Sequence, residues 1–158
     1  METETLTLIR TNSTHEDFKN LVTELNAYLS VIDGSEHAFY QQYNGIENLN
    51  HVVIAYKNNE PVACGAFKRV DASSAEIKRM YTKPEVRKYG LASKVLKELE
   101  QWAFEEHFEN TILETGKRQV EAVKFYQKNH YLSMPNFGPY QGIENSVCFK
   151  KTLTHEKG

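Results

Sequence analysis

Between Tyr81 and Leu96 the chain reads YTKPEVRKYGLASKVL, and its residue types suit the capture of an anion. Arg87 and Lys88 are cations placed just ahead of an apolar helical stripe, where a helix start ordinarily favours negative charge. Gly90 allows close backbone approach to a ligand and a positive φ. Ala92 and Ser93 keep the first helical turn uncluttered. A strand-to-helix junction aims free backbone N–H groups into the space beyond the strand end. The segment Arg87, Lys88, Tyr89, Gly90, Leu91, Ala92, Ser93 is therefore a candidate pyrophosphate cradle. The plainer alternative is a solvated basic loop in front of an amphipathic helix. Neither a Gly-Lys-Ser/Thr loop nor a Gly-x-Gly-x-x-Gly fingerprint is present, so the expected ligand carries phosphate but brings no metal. The six histidines have no His-x-x-x-His spacing and the two cysteines no Cys-x-x-Cys, so no metal site is expected. Cys64 and Cys148 lie in apolar strand-like runs and read as core residues.

The elements that must position this loop alternate in period. TLTLIR reads as a strand. STHEDFKNLVTELNAYLSVI carries Phe18, Leu21, Val22, Leu25, Tyr28 and Leu29 at helical spacing, with Ser13 or Thr14 as its cap. A weaker helical stretch covers Ser35 to Tyr43. HVVIAYKNNEPVACGAFKRVD reads as two strands joined at Asn58-Asn59-Glu60, followed by the strand SAEIKRMYT. Leu91, Val95, Leu99 and Trp102 mark a long helix. Next come the short strand NTILET, the short helix VEAVKFYQKNHY and the strand SVCFKKTL, with one more short strand around Leu132 to Met134. A hairpin followed by a β-α-β crossover predicts an α/β (α+β) domain over 1–158. Its core is a mixed, mainly antiparallel central sheet of six to seven strands with helices on both faces.

Bulk composition bounds the partners. The chain has 158 residues, a formal net charge of −2 and 25% charged residues. That balance argues against binding dominated by phosphate neutralisation and leaves room only for a small basic patch, so no nucleic acid partner is expected. No apolar run approaches the roughly 20 residues of a membrane span, so no membrane partner is expected. Two thiols and a first segment without a basic, apolar leader predict a cytoplasmic protein. A homodimer is left open.

Three blocks in order resemble the GNAT superfamily of acyl-CoA-dependent N-acyltransferases. AEIKRMYTKPEVRKYGLASKVLKELEQWA is similar to the family's strand, Arg-x-x-Gly-x-Ala loop and long helix. TILETGKRQVEAVKFYQKNHY is similar to its next strand and the helix carrying Ala-x-x-Phe-Tyr. The resemblance covers about Ala75 to Tyr131 and implies acetyl-CoA as co-substrate, with a small amine-bearing acceptor. It implies that the pantetheine arm lies along the strand ending in Met80, Tyr81 and Thr82, and that the diphosphate rests on N–H groups from Arg87 through Ser93. Gln119 stands where many members carry an asparagine that touches the pantetheine. His130 replaces a helix-ending glycine, and Asn129 is expected to make the left-handed turn instead.

The chemistry so implied is acetyl transfer by direct attack of an amine in a ternary complex. A lysine-like amine is neutral for less than about 0.1% of the time at pH 7, so something must take its proton. Glu76 is the first candidate for that base and Glu114, in LETG, the rival. An N–H near Tyr81 or Thr82 would meet the developing oxyanion. Tyr126 matches the family's frequent general acid. Phe39, Tyr40 and Tyr43 are read as wall of the acceptor pocket or as helix core, and NFGPYQGIENS as a loop at the acceptor mouth with an exposed Tyr140. The alternative function is a non-catalytic acyl-CoA sensor of the same fold, which would keep the loop without needing Glu76 or Tyr126.

Overall fold

The computed structural model describes residues 5–33 and 48–154. The helical stretch expected at Ser35 to Tyr43, with Phe39, Tyr40 and Tyr43, lies outside the described residues. Seven strands form one sheet: β1 (Leu6–Thr11), β2 (His51–Lys57), β3 (Glu60–Arg69), β4 (Ser74–Thr82), β5 (Asn110–Gly116), β6 (Leu132–Met134) and β7 (Ser146–Thr152). Their spatial order is β1-β2-β3-β4-β5-β7-β6, and among these pairs only β4 and β5 run parallel. The helices are α1 (Glu16–Asp33), α2 (Leu91–Glu105) and α3 (Val120–Lys128).

The apolar spacing of each helix decides which face of the sheet it covers. Phe18, Leu21, Val22, Leu25 and Leu29 of α1 pack on Val52, Ile54, Cys64, Ala66 and Tyr81. On the opposite face, Leu91, Val95, Leu96 and Leu99 of α2 join Tyr126 of α3 over Val53, Ala55, Phe67, Ile77, Leu113 and Phe149. Alternate strand residues thus feed two separate cores. Tyr28, at helical spacing in the α1 stripe, is instead exposed.

Local chemistry explains the joins. Asn58 and Asn59 both take left-handed φ, 53° and 69°, which closes the β2–β3 hairpin with two residues. α1 is capped by His15, whose Nδ1 accepts the Asp17 N–H at 3.1 Å. Ser13 is not the cap, because its Oγ accepts the N–H of Leu49 at 3.2 Å and ties that segment to the sheet. Thr14 Oγ1 donates to Asn12 instead. At the end of α3 the left-handed residue is His130 (φ 74°), not Asn129 (φ −91°). The Asn129 side chain donates back to the Phe125 carbonyl at 2.8 Å, so the chain reverses one residue later.

One irregularity positions everything that follows. Cys64 pairs with Tyr81 and Ala66 with Lys78, so Gly65 alone faces Arg79 and Met80. This is a β-bulge, and it shifts the alternation of β4 by one residue. Ala75 and Ile77 face the α2 core before it, Met80 packs on that core after it, and Tyr81 faces α1. A Cβ on Gly65 would lie 2.4 Å from Met80 Sδ, 2.8 Å from Leu99 Cδ1 and 3.0 Å from Val95 Cγ1. Gly65→Ala is expected to destabilise the fold by about 1–3 kcal/mol through overpacking. Thermal unfolding checks this; an unchanged midpoint would show that Met80 and Leu99 yield freely.

Candidate active site

β4 and β5 pair over only Ser74–Glu76 and Asn110–Ile112. Past Glu76 they part, β5 remaining paired with β7 and β4 with β3. The result is a wedge in the middle of the sheet, with strand backbone on the β4 side free of a β5 partner. Two cavities occupy it. The larger, 320 Å³, is lined by Tyr28, Met80, Tyr81, Thr82, Arg87, Ala92, Gln119, Phe125 and Tyr126 among others. The smaller, 110 Å³, lies among Glu76, Lys78, Arg79, Glu114, Thr115 and Tyr140. Leu25, Met80, Gln119, Ala122 and Tyr126 line both and form the partition between them.

At the mouth of the larger cavity the chain makes a 3₁₀ turn over Pro84–Tyr89 and enters α2 through Gly90, which is left-handed at φ 72°. No side chain caps α2, and its first turn carries no acid. The N–H groups of this turn therefore present partial positive charge that no acid of the turn itself meets. A Cβ on Gly90 would meet nothing within 4 Å, so the glycine serves its backbone angle and leaves open space above it. Arg87 is anchored across the opening, its Nε donating to the Thr82 carbonyl at 3.0 Å and its guanidinium 5.3 Å from the Tyr28 ring centre. Gln119, the cap residue of α3, lines both cavities. Tyr81 and Thr82 are buried beside them; the Tyr81 hydroxyl donates to Glu24 Oε1 at 3.2 Å.

Tyr126 is held by rings: Phe125 at 5.1 Å, Tyr131 at 5.7 Å and Phe149 at 6.4 Å between centres. Its hydroxyl has no hydrogen-bond partner among the described residues, whereas neighbouring Tyr131 shares bonds with Thr111 (2.7 Å) and Glu100 (2.8 Å). Tyr131 is a satisfied core tyrosine; Tyr126 presents its phenol to the partition. Burial first, and the Glu114 carboxylate second, push the Tyr126 phenol up from its ordinary value. It stays protonated at neutral pH.

Glu76 and Glu114 both line the smaller cavity and are partly engaged. Ser146 Oγ donates to Glu114 Oε2 at 2.7 Å. The Tyr140 hydroxyl is hydrogen-bonded to Glu76, and burial, then Glu76 and Glu114, drive its pKa upward. Tyr140 is thus not an exposed loop residue but 3% exposed and part of the site. The reason is Asn136, whose Nδ2 donates to the carbonyls of Tyr140, Ile143 and Ser146 at 3.1–3.2 Å and folds the loop onto the sheet. Cys64 and Cys148 are buried, and burial pushes their thiols up to about 12 and about 11, which leaves both un-ionised and unsuited to nucleophilic attack.

Of the residues expected at the site, Glu76, Met80, Tyr81, Thr82, Arg87, Ala92, Gln119 and Tyr126 line the two cavities. Arg79, which also lines the smaller cavity, carried no signal in the sequence, and Tyr140, expected at an acceptor-mouth loop, is buried rather than exposed. A bulge leaves no mark in an alternating pattern, while Gly138-Pro139-Tyr140 between glycines read as surface turn; the nearby Asn136 was the available signal for a fixed loop.

Comparison with known proteins supplies the rest. The model of the Acetyltransferase (GNAT) family matches residues 18–131. A curated protein called IAA acetyltransferase, from Azospirillum brasilense, is 26% identical over 151 residues, covering 94% of this chain and 98% of its own. A solved chain from Klebsiella pneumoniae, assigned to the acyl-CoA N-acyltransferases, superposes with TM-score 0.79 at 28% identity, covering 94% of this chain and 98% of that one. A GNAT family acetyltransferase from Elizabethkingia anophelis, solved with acetyl-CoA bound, shares the fold at TM-score 0.66 and 16% identity, covering 94% and 98%.

Proposed function

Because the chain belongs to the acetyltransferase (GNAT) family, we propose that it moves an acetyl group from acetyl-CoA to a primary amine of a small molecule or peptide, by direct attack in a ternary complex. The observation that carries this reading is the pair of cavities meeting at Tyr126 and Met80. Donor and acceptor enter from opposite sides and touch at one partition.

The donor side suits a coenzyme A ester. Its diphosphate fits the uncapped turn from Arg87 through Ser93, with Lys88 and Tyr89 in the same loop, and Gly90 leaving room for close approach. Its pantetheine arm fits beside Met80, Tyr81 and Thr82, completing a strand edge that β5 leaves open, as in β-augmentation. Gln119 can offer its amide to the arm.

On the acceptor side the amine nitrogen attacks the thioester carbonyl, the C–N bond forms and the C–S bond breaks. Charge developing on the carbonyl oxygen is met by a β4 backbone N–H near Tyr81 or Thr82. The amine proton passes to Glu76, directly or through water, with Glu114 as the alternative acceptor. The departing sulfur takes the Tyr126 proton, which burial holds in place until needed. No covalent enzyme intermediate is required.

Thiol release from acetyl-CoA with a panel of amines, followed by mass spectrometry of the products, tests the reading. Amine-dependent release with an acetylated product is expected. Binding of acetyl-CoA without turnover on any amine would favour a sensor instead. Gly90→Val should weaken acetyl-CoA binding by at least about tenfold, because a β-branched residue is strained at φ 72° and fills the approach. Calorimetry on the folded variant checks this, and unchanged affinity would remove the loop from the donor site.

A further inference from the structure

We infer that the acceptor carries a carboxylate, and that Arg79 in the acceptor cavity recognises it; this rests on the acetyl-transfer reading above. Arg79 is 5% exposed and lines the 110 Å³ cavity together with Glu76, Glu114 and Tyr126. One nitrogen, Nη2, donates to Asn26 Oδ1 on α1. The guanidinium Nε is buried and has no partner among the described residues. No carboxylate among the described residues pairs with Arg79, and burial lowers its pKa to about 10, so it remains a cation at neutral pH. A buried charge without a counter-ion is expensive, and so is a buried donor without an acceptor.

The backbone makes the choice of residue stranger still. Arg79 stands in the left-handed region at φ 59°, the bulge position that glycine occupies without strain. A side chain held at a strained angle, buried and unsatisfied, fits a ligand that supplies what the protein withholds. A guanidinium answers best to a carboxylate, through charge-assisted bonds. The same cavity is also lined by the carboxylates Glu76 and Glu114, with Lys78 beside them. Glu76 and Glu114 suit an ammonium group arriving at the partition, so the cavity matches a small molecule with an amine at one end and a carboxylate a few atoms away. Its volume limits the acceptor to a compact amino acid rather than a long chain entering whole.

Acetyl transfer to glycine, alanine and β-alanine, each compared with its own carboxamide at saturating acetyl-CoA, tests this, with rates expressed per neutral amine. The acids should exceed their amides in kcat/KM by at least about tenfold, the worth of one charge-assisted hydrogen bond. Arg79→Gly, which relieves the strained φ and so should fold, is expected to erase that preference; Arg79→Lys should keep part of it. Acids and amides used equally by the wild-type enzyme would overturn the inference while leaving acetyl transfer standing. Should acetyl-CoA bind with no amine turned over, the transfer reading fails, and calorimetry with N-acetylglycine in the presence of coenzyme A decides the anion site. Binding lost in Arg79→Gly would sustain it; no binding, or equal binding by both proteins, would end it.

Discussion

Tyr126→Phe is expected to lower kcat by about 10²- to 10⁴-fold, the span of a general acid, while acetyl-CoA affinity and thermal stability should stay near wild type. Stability is spared because the hydroxyl has no hydrogen-bond partner among the described residues, so its removal strands nothing. The rings of Phe125, Tyr131 and Phe149 still clamp the phenylalanine. Tyr131→Phe is the control: it removes bonds to Thr111 and Glu100 and should cost stability, about 1–3 kcal/mol, with a small effect on kcat. Burial and Glu114 both move the Tyr126 phenol upward from 10, so its proton is not lost between about pH 6 and 9. The Tyr126→Phe deficit should accordingly be constant over that range. A kcat within twofold of wild type, or a deficit that vanishes toward pH 9, would take Tyr126 out of proton transfer.

Tyr126 and Tyr131, five residues apart, look alike in a sequence, and what separates them is the partner of the hydroxyl. This marks the boundary of what was legible. Periodicity found the helices because Leu91, Val95 and Leu99 must all face one core. It found the β2–β3 hairpin because Asn58 and Asn59 are among the few residues that accept positive φ. The loop at Gly90 was legible for a related reason: cations before a helix are an electrostatic mismatch, and a mismatch asks for a ligand. Short-range chemistry misplaced other features where several local solutions compete. Ser13, Thr14 and His15 could each have capped α1, and the contact of Ser13 with Leu49, thirty-six residues away, decided among them. Asn129 and His130 could each have turned left, and the bond of Asn129 to Phe125 left that step to His130.

The bulge at Arg79 belongs to a third kind. EIKRMY alternates as any strand does, and nothing in it says that one residue falls out of step. The extra residue exists because Gly65 on β3 gives up its side-chain space to Met80. Long-range complementarity of that sort is written in two segments at once. Yet it is the bulge that turns Met80 toward the partition and leaves Arg79 buried on the α1 side, so the part of the site hardest to read locally is the part that shapes the smaller cavity.

Glu76→Gln should reduce acetyl transfer by about 10²- to 10⁴-fold near neutral pH, and Glu114→Gln by less than about tenfold. Both carboxylates line the smaller cavity, so proximity alone does not rank them. Glu76 lies on β4, the strand beside which the acetyl group is expected, three residues before the bulge. Glu114 lies on β5 and is held by Ser146 at 2.7 Å, an anchor that fits a supporting charge on Tyr126 and Tyr140. The pH dependence supplies a second, independent reading. Without a base, the variant depends on amine that has already lost its proton, and that fraction rises about tenfold per pH unit below the amine's pKa. The rate of Glu76→Gln should therefore climb with a slope near one on a logarithmic plot and approach the wild-type rate in alkali. Wild type, which retains its base, should rise less steeply over the same interval. A steep, deep loss in Glu114→Gln together with a mild one in Glu76→Gln would exchange the two roles. Mild losses in both, with slopes like wild type, would place proton removal in water and leave each carboxylate to orient the acceptor.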